Sequence, residues 1–74
     1  MADPHVYKIV EIVGSSPEGV DPAIRNGLAR ARSTLRNVEW FEVREVRGAL
    51  VGETVYTQVR MGVGFRLEDD QDVG

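Results

Sequence analysis

Few side chains in this sequence are suited to covalent or acid–base chemistry. The chain has no cysteine and a single histidine, His5, near its start, so it offers no thiolate metal site and no nucleophile–histidine pair. Its acids are not spaced like those of a calcium loop. Gly62 and Gly64 fall within a predicted strand rather than before a helix, which argues against a nucleotide-binding glycine loop. We therefore expect a protein that is not an enzyme, with no catalytic and no metal-ligating residues.

Trp40 is the residue best suited to hold a ligand. An indole can stack on a flat ring, but tryptophan also serves as an interface anchor, and composition alone favours that second interpretation. Gln58 is either a hydrogen-bonding group for a ligand or a polar strand residue facing water. Three arginines can likewise pair with interleaved acids instead of binding a ligand. These arginines are Arg44, Arg47 and Arg66, and the acids are Glu39, Glu42 and Glu45.

Hydrophobic periodicity predicts the elements that position these residues. They are a strand at 6–13, a helix from about 20–22 to Leu35, and strands at 38–50 and 54–67. Two signals compete for the helix start, Ser16-Pro17 and Asp21-Pro22, because each places a proline after a capping residue. The third strand alternates cleanly between apolar and other residues, as a strand with one buried face does.

The order β-α-β-β limits the topology. A helical connection makes the first two strands run in the same direction, and a hairpin makes the third run opposite. An antiparallel sheet then requires the third strand in the centre. The predicted fold class is α+β, with a three-stranded antiparallel sheet packed on one helix.

The register of the hairpin follows from which residues face the core. Phe41 and Val43 should face it, so paired residue numbers of strands two and three should add to an even total. A total of 102 sets Glu42 against Arg60, a pair of opposite charges, and is the predicted register. A total of 104 is the alternative.

Either register leaves Trp40 on the face away from the helix, opposite Gly62 or Gly64, with Val46 and Tyr56 on the same face. Glycine in a central strand often marks the close approach of another group. One helix cannot cover both faces of a sheet. We therefore expect this face to pack against another subunit, a ligand, or both.

The length and charge of the chain set further limits. Seventy-four residues make one domain with a marginal core, and without cysteines oligomerisation is the expected support. We expect order over about 5–68 and a disordered acidic tail at 69–74. The net charge of −3 gives no broad basic footprint for nucleic acid. No apolar run is long enough to span a bilayer and no signal peptide is evident, so we expect a cytoplasmic protein without a membrane partner.

Taken together, the sequence resembles the dodecins, small flavoproteins of bacteria and archaea. The resemblance runs from Val6 to Glu68. It is carried by Val6-Tyr7-Lys8, Glu11-Ile12-Val13-Gly14-Ser15-Ser16, Ala29-Arg30-Ala31, Thr34-Leu35-Arg36, Trp40-Phe41-Glu42-Val43, Arg47-Gly48, Tyr56-Thr57-Gln58-Val59 and Val63-Gly64-Phe65-Arg66-Leu67.

The resemblance implies a hollow homododecamer with paired flavins held between tryptophans of neighbouring subunits. Trp40 matches that tryptophan, and Gln58 matches the glutamine that hydrogen-bonds the polar edge of the isoalloxazine. Arg47 and Arg66 match basic positions near the tail of phosphorylated ligands. The cofactor implied is FMN, or riboflavin or FAD, with coenzyme A as a further possible ligand.

The function expected from this resemblance is storage and sequestration of flavin, which buffers the free ligand and quenches its photochemistry. One alternative is a structural oligomer, or a carrier of another nucleotide cofactor such as coenzyme A. Another is a single-stranded RNA binder that stacks bases on Trp40 and Tyr56. The acids on strand two and in the following turn disfavour this last alternative.

Overall fold

The computed structural model describes residues 4–68 as one sheet covered by one helix. The elements are β1 (Tyr7–Ser16), α1 (Val20–Thr34), β2 (Val38–Val51) and β3 (Thr54–Arg66). The strands form an antiparallel sheet in the order β1-β3-β2. The predicted fold class, with the third strand central, is confirmed. The predicted acidic tail at 69–74 lies outside the described residues.

The connection between β1 and α1 uses neither of the two predicted capping residues. β1 runs to Ser16 rather than ending at residue 13, and the Ser16 hydroxyl accepts a hydrogen bond from the Glu18 N–H at 3.0 Å. Because that hydroxyl closes the turn, it does not cap the helix. The N-cap position is held by Gly19, whose φ of 123° suits a residue without a Cβ. The helix begins at Val20, within the predicted range.

The core lies between α1 and one face of β3. Val59, Met61 and Val63 alternate along β3 and are fully buried, under Ala23 and Ala31 of the helix. Burying side chains of this size contributes about 1.5–3 kcal/mol each. Small helix residues let α1 approach closely, and Gly14 of β1 has no room for a side chain because a Cβ there would overlap the Ala23 carbonyl.

The register of β2 on β3 corrects the prediction. Trp40 pairs with Gly64 and Phe41 with Val63, so the residue numbers add to 104 and the predicted total of 102 is wrong. The predicted pair of Glu42 with Arg60 does not form across the strands. Glu42 lies opposite Gly62 instead, and Arg60 takes Glu45 as its cross-strand neighbour. One favourable charge pair is worth only a few tenths of a kcal/mol, too little to decide a register.

A β-bulge at Arg44 changes the alternation of β2. The register shifts between Val43 and Glu45, and beyond the shift the paired numbers add to 105. Val46 therefore lies opposite Val59 on the helix side of the sheet, and its predicted place on the other face is wrong. Arg47 lies opposite Gln58, on the side of the sheet away from the helix. Strict alternation fails here because a bulge sets two residues against one.

Much apolar surface stays uncovered. Phe41, Val43 and Val46 on the helix side of β2 are exposed, since α1 packs mainly over β1 and β3. The β2–β3 hairpin extends past the helix and gives the described chain dimensions of 55 × 19 × 14 Å. Leu50 near its tip is 80% exposed. Exposed apolar area of this kind marks interaction surfaces.

Candidate ligand-binding site on the outer face of the sheet

The outer face, defined as the face of the sheet away from α1, carries the indole of Trp40 flat across the central strand. A methyl group placed on Gly64 would overlap three fused-ring atoms of the indole, Cδ2, Cε2 and Cζ2. The ring therefore rests against the backbone of β3, an approach that only glycine permits. Trp40 remains 37% exposed, so a flat ligand can reach it.

Tyr7 and Arg66 flank this ring through a shared carboxylate. The Tyr7 ring centroid lies 6.0 Å from that of Trp40, with the planes tilted by 54°. The Tyr7 hydroxyl donates to Glu39 Oε1 at 2.8 Å, and Arg66 Nε donates to Glu39 Oε2 at 3.1 Å. The hydrogen bond from Tyr7, with that from Arg66, lowers the pKa of Glu39. The same bond to Glu39 raises the pKa of Tyr7. We call these residues, with Trp40 and Gly64, the Trp40 end.

Arg47 and Gln58 form a second group, the Gln58 end. Arg47 Nε donates to Gln58 Oε1 at 2.9 Å, a contact made possible by the bulge at Arg44. No ion pair to Arg47 forms within residues 4–68. Arg47 therefore keeps its charge for an anion. Because Oε1 of Gln58 accepts from Arg47, its amide N–H groups are left for another acceptor.

The two ends do not meet within one chain. Gln58 and Gly64 are six residues apart on β3, which is about 20 Å along a strand. The structure thus brings Trp40 together with Arg66, and Gln58 together with Arg47, but keeps these two pairs apart. Sequence reasoning anticipated all four residues. It did not anticipate Tyr7 and Glu39, because their grouping depends on the register that pairs Tyr7 with Arg66.

Charged side chains fill the outer face between the two ends. Arg44 contacts Glu11 at 3.2 Å and Glu42 at 2.9 Å, and Arg60 contacts Glu11 at 2.8 Å and Glu45 at 3.2 Å. The hydrogen bonds from Arg60 and then Arg44 lower the pKa of Glu11. The ion-pair interpretation of the interleaved arginines and acids is therefore confirmed for Arg44 and Arg66, and does not hold for Arg47.

Comparison with known proteins identifies the family of this fold. The family model described as Dodecin matches residues 6–68. The chain belongs to the dodecin family. Among curated proteins, a dodecin of Thermus thermophilus is 56% identical over 66 residues, which cover 86% of this chain and 94% of that protein.

Solved dodecin structures agree closely with this one. The dodecin from Streptomyces davaonensis matches with a TM-score of 0.84 and 56% identity over 90% of this chain and all of that one. The dodecin from Streptomyces coelicolor matches with a TM-score of 0.84 and 47% identity over 93% of this chain and all of that one. Dodecins are small binding proteins rather than enzymes. Within residues 4–68, no helix is long and apolar enough to cross a membrane.

Proposed function

We propose that this member of the dodecin family binds a flavin on the outer face of its sheet and stores it. The observation that carries the proposal is the indole of Trp40, held flat over Gly64 and still partly exposed. An isoalloxazine is flat and electron-poor, whereas an indole is electron-rich. Offset stacking between such rings contributes about 0.5–1.5 kcal/mol beyond the area that it buries.

The Gln58 end supplies the polar recognition that a flavin needs. The amide of Gln58 offers donors and an acceptor, as the alternating groups on the pyrimidine edge of a flavin require. The guanidinium of Arg47 can bind a phosphate through two parallel hydrogen bonds. These features favour FMN over riboflavin, provided that the ligand tail reaches Arg47.

A complete site in this proposal needs more than one copy of the chain. Trp40 and Gln58 are separated by about 20 Å along the sheet, too far for one copy to bring both against the same ring. Two copies that face each other can supply Trp40 from one and Gln58 from the other. The exposed apolar residues of β2 and the hairpin tip support such self-association. We propose a closed homododecamer in the cytoplasm.

Storage fits this arrangement better than turnover does. A flavin sandwiched between aromatic rings has its reactive positions covered, and the titratable pair beside Trp40, Tyr7 and Glu39, is already joined by a hydrogen bond of 2.8 Å. A tryptophan in stacking contact can donate an electron to an excited flavin and take it back without net reaction. The protein would thus buffer free flavin and limit its photochemistry.

The direct experiment is the absorption spectrum of the purified, assembled protein, followed by mass analysis of the small molecule that heating releases. We expect flavin bands and a released flavin. A protein that stays colourless after FMN is added in excess would contradict the proposal. It would favour a purely structural oligomer or a carrier of another cofactor, such as coenzyme A.

A further inference from the structure

Gly62, the next outer-face residue of β3 from Gly64, is also covered by a flat group. A Cβ placed on Gly62 would lie 2.7 Å from Arg44 Nη2, 2.9 Å from Cζ and 3.1 Å from Nε. Three atoms of one planar guanidinium are thus almost equally distant from a single point above the strand. The guanidinium of Arg44 therefore lies flat over Gly62, as the indole of Trp40 lies flat over Gly64.

The backbone and two carboxylates hold this guanidinium in place. Arg44 is the extra residue of the β-bulge, and bulges re-aim side chains. Glu11 on β1 and Glu42 on β2 flank Gly62 on either side. Arg44 Nη1 donates to Glu11 at 3.2 Å, and Nε and Nη2 donate to Glu42 at 3.2 and 2.9 Å. All of these bonds run along the edge of the guanidinium, so they leave its outward face open.

The two flat groups lie side by side. Alternate residues of a strand are roughly 7 Å apart, so the guanidinium over Gly62 continues the surface that the indole begins over Gly64. An isoalloxazine has three fused rings and an indole has two, so a stacked flavin extends past the indole. We propose that Arg44 is a positioning residue for the ligand, with its guanidinium forming the floor beneath the part of the flavin ring that Trp40 does not cover. This inference rests on the proposed flavin-binding function.

Arginine suits this role in a way that lysine does not. A guanidinium is planar and weakly hydrated, and it stacks on aromatic faces, whereas an ammonium is a compact and strongly hydrated charge. Two carboxylates balance the charge of Arg44, so the electron-poor flavin meets a flat surface rather than an isolated cation. Because Arg44 is already held by Glu11 and Glu42, little conformational entropy remains to be lost when the ligand binds.

The test is an FMN fluorescence titration of the assembled protein with Arg44→Lys and, separately, Gly62→Ala. Lysine keeps the positive charge and the ion pairs but lacks the planar guanidinium group. Alanine at Gly62 keeps Arg44 but pushes its guanidinium off the strand. We expect each variant to raise the Kd for FMN about tenfold, while the residual fluorescence at saturation stays at the wild-type level because Trp40 still quenches the ring.

The matched control is Arg60→Lys. Arg60 shares the Glu11 carboxylate at 2.8 Å but does not cover Gly62, and we expect an unchanged Kd. A wild-type Kd in Arg44→Lys would show that Arg44 only links the strands through its ion pairs, and would overturn the inference. A loss of both quenching and affinity would also overturn the inference, because the substitution would then have displaced the Trp40 indole as well.

The inference and the proposed function fail in different ways. If the wild-type protein binds no FMN, both are wrong. If the wild-type protein binds FMN, Trp40→Ala abolishes that binding and Arg44→Lys changes nothing, only the inference about Arg44 is wrong.

Discussion

The Trp40 end and the Gln58 end of the outer face are built differently. At the Trp40 end, a ring is seated on glycine and the nearby arginine is already neutralised, because Arg66 donates to Glu39 at 3.1 Å. At the Gln58 end, the arginine is bonded to a neutral amide, with Arg47 at 2.9 Å from Gln58. One end is therefore a preformed flat surface, and the other supplies an arginine that forms no ion pair within residues 4–68.

This difference separates two kinds of recognition. In the proposed site, the flat surface at the Trp40 end recognises the shape of the ring without using the charge of Arg66. In the same proposal, the charge of Arg47 at the Gln58 end recognises an anionic tail. Variants at the Trp40 end should therefore change the affinity for the ring, and variants of Arg47 should change the preference for a phosphate.

Among the variants that keep Trp40, the largest effect is expected from Gly64→Ala. The added methyl group would overlap the indole, so the ring must move away from the backbone of β3. We expect FMN affinity to fall by roughly ten- to a hundredfold in a fluorescence titration. Gly48→Ala is the matched control, because a Cβ there would meet nothing closer than 3.9 Å. Equal FMN affinities for the Gly64 and Gly48 variants would show that the position of the indole on β3 does not affect binding.

Substitutions of Arg47 and Arg66 should have smaller effects on FMN affinity, and these effects should differ between the two residues. In Arg47→Ala we expect FMN affinity to drop about tenfold, the range of one charge-assisted hydrogen bond, with riboflavin affinity changing less than about twofold. In Arg66→Ala the FMN loss should be smaller, since Glu39 already compensates that charge. Calorimetric titration with both flavins measures the ratio. A greater FMN-specific loss in Arg66→Ala would reverse the assignment of the two ends.

Glu39→Gln should have the opposite effect to the arginine variants, because it should strengthen the binding of FMN. Removing the carboxylate frees the charge of Arg66, so we expect FMN to bind about two- to threefold more tightly, and riboflavin to bind as before. The measurement is again the ratio of the two dissociation constants. An equal gain for both flavins would mean that the substitution acts on the ring surface and not on the charge.

The smallest effect concerns the charged residues between the ends. In the folded protein the pKa of Glu11 lies below its ordinary value of 4.5, so the unfolded chain binds more protons near that pH. The stability from Glu11 is therefore complete above 4.5 and is lost as the pH falls through the folded pKa. We expect Glu11→Gln to lower the melting temperature at pH 7 by a few degrees at most.

The acid dependence provides the check on that prediction. Melting temperatures measured at one protein concentration should fall less between about pH 5 and pH 3 in Glu11→Gln than in the wild-type protein. Fixed concentration matters because the stability of an oligomer depends on it. Parallel melting curves across this range would show that Glu11 contributes no pH-dependent stability.

Regular alternation made the fold predictable from the sequence, and the family resemblance named the four candidate site residues, whose role in binding stays a prediction. The clean pattern of β3 identified its buried residues Val59, Met61 and Val63, its central position, and the outer-face location of Trp40. The bulge at Arg44 was not predictable, since no periodic signal marks a place where two residues oppose one. Everything that depends on the bulge was therefore missed, including the inward turn of Val46 and the contact of Arg47 with Gln58.

Above all, we propose that the exposed face of the Trp40 indole is the flavin-binding surface. The decisive experiment is a titration of FMN with the assembled wild-type protein and with Trp40→Ala while flavin fluorescence is followed. We predict that the wild-type protein quenches most of the emission at saturation, and that the variant leaves the emission of added FMN nearly unchanged. Quenching by Trp40→Ala with the wild-type Kd would contradict the claim.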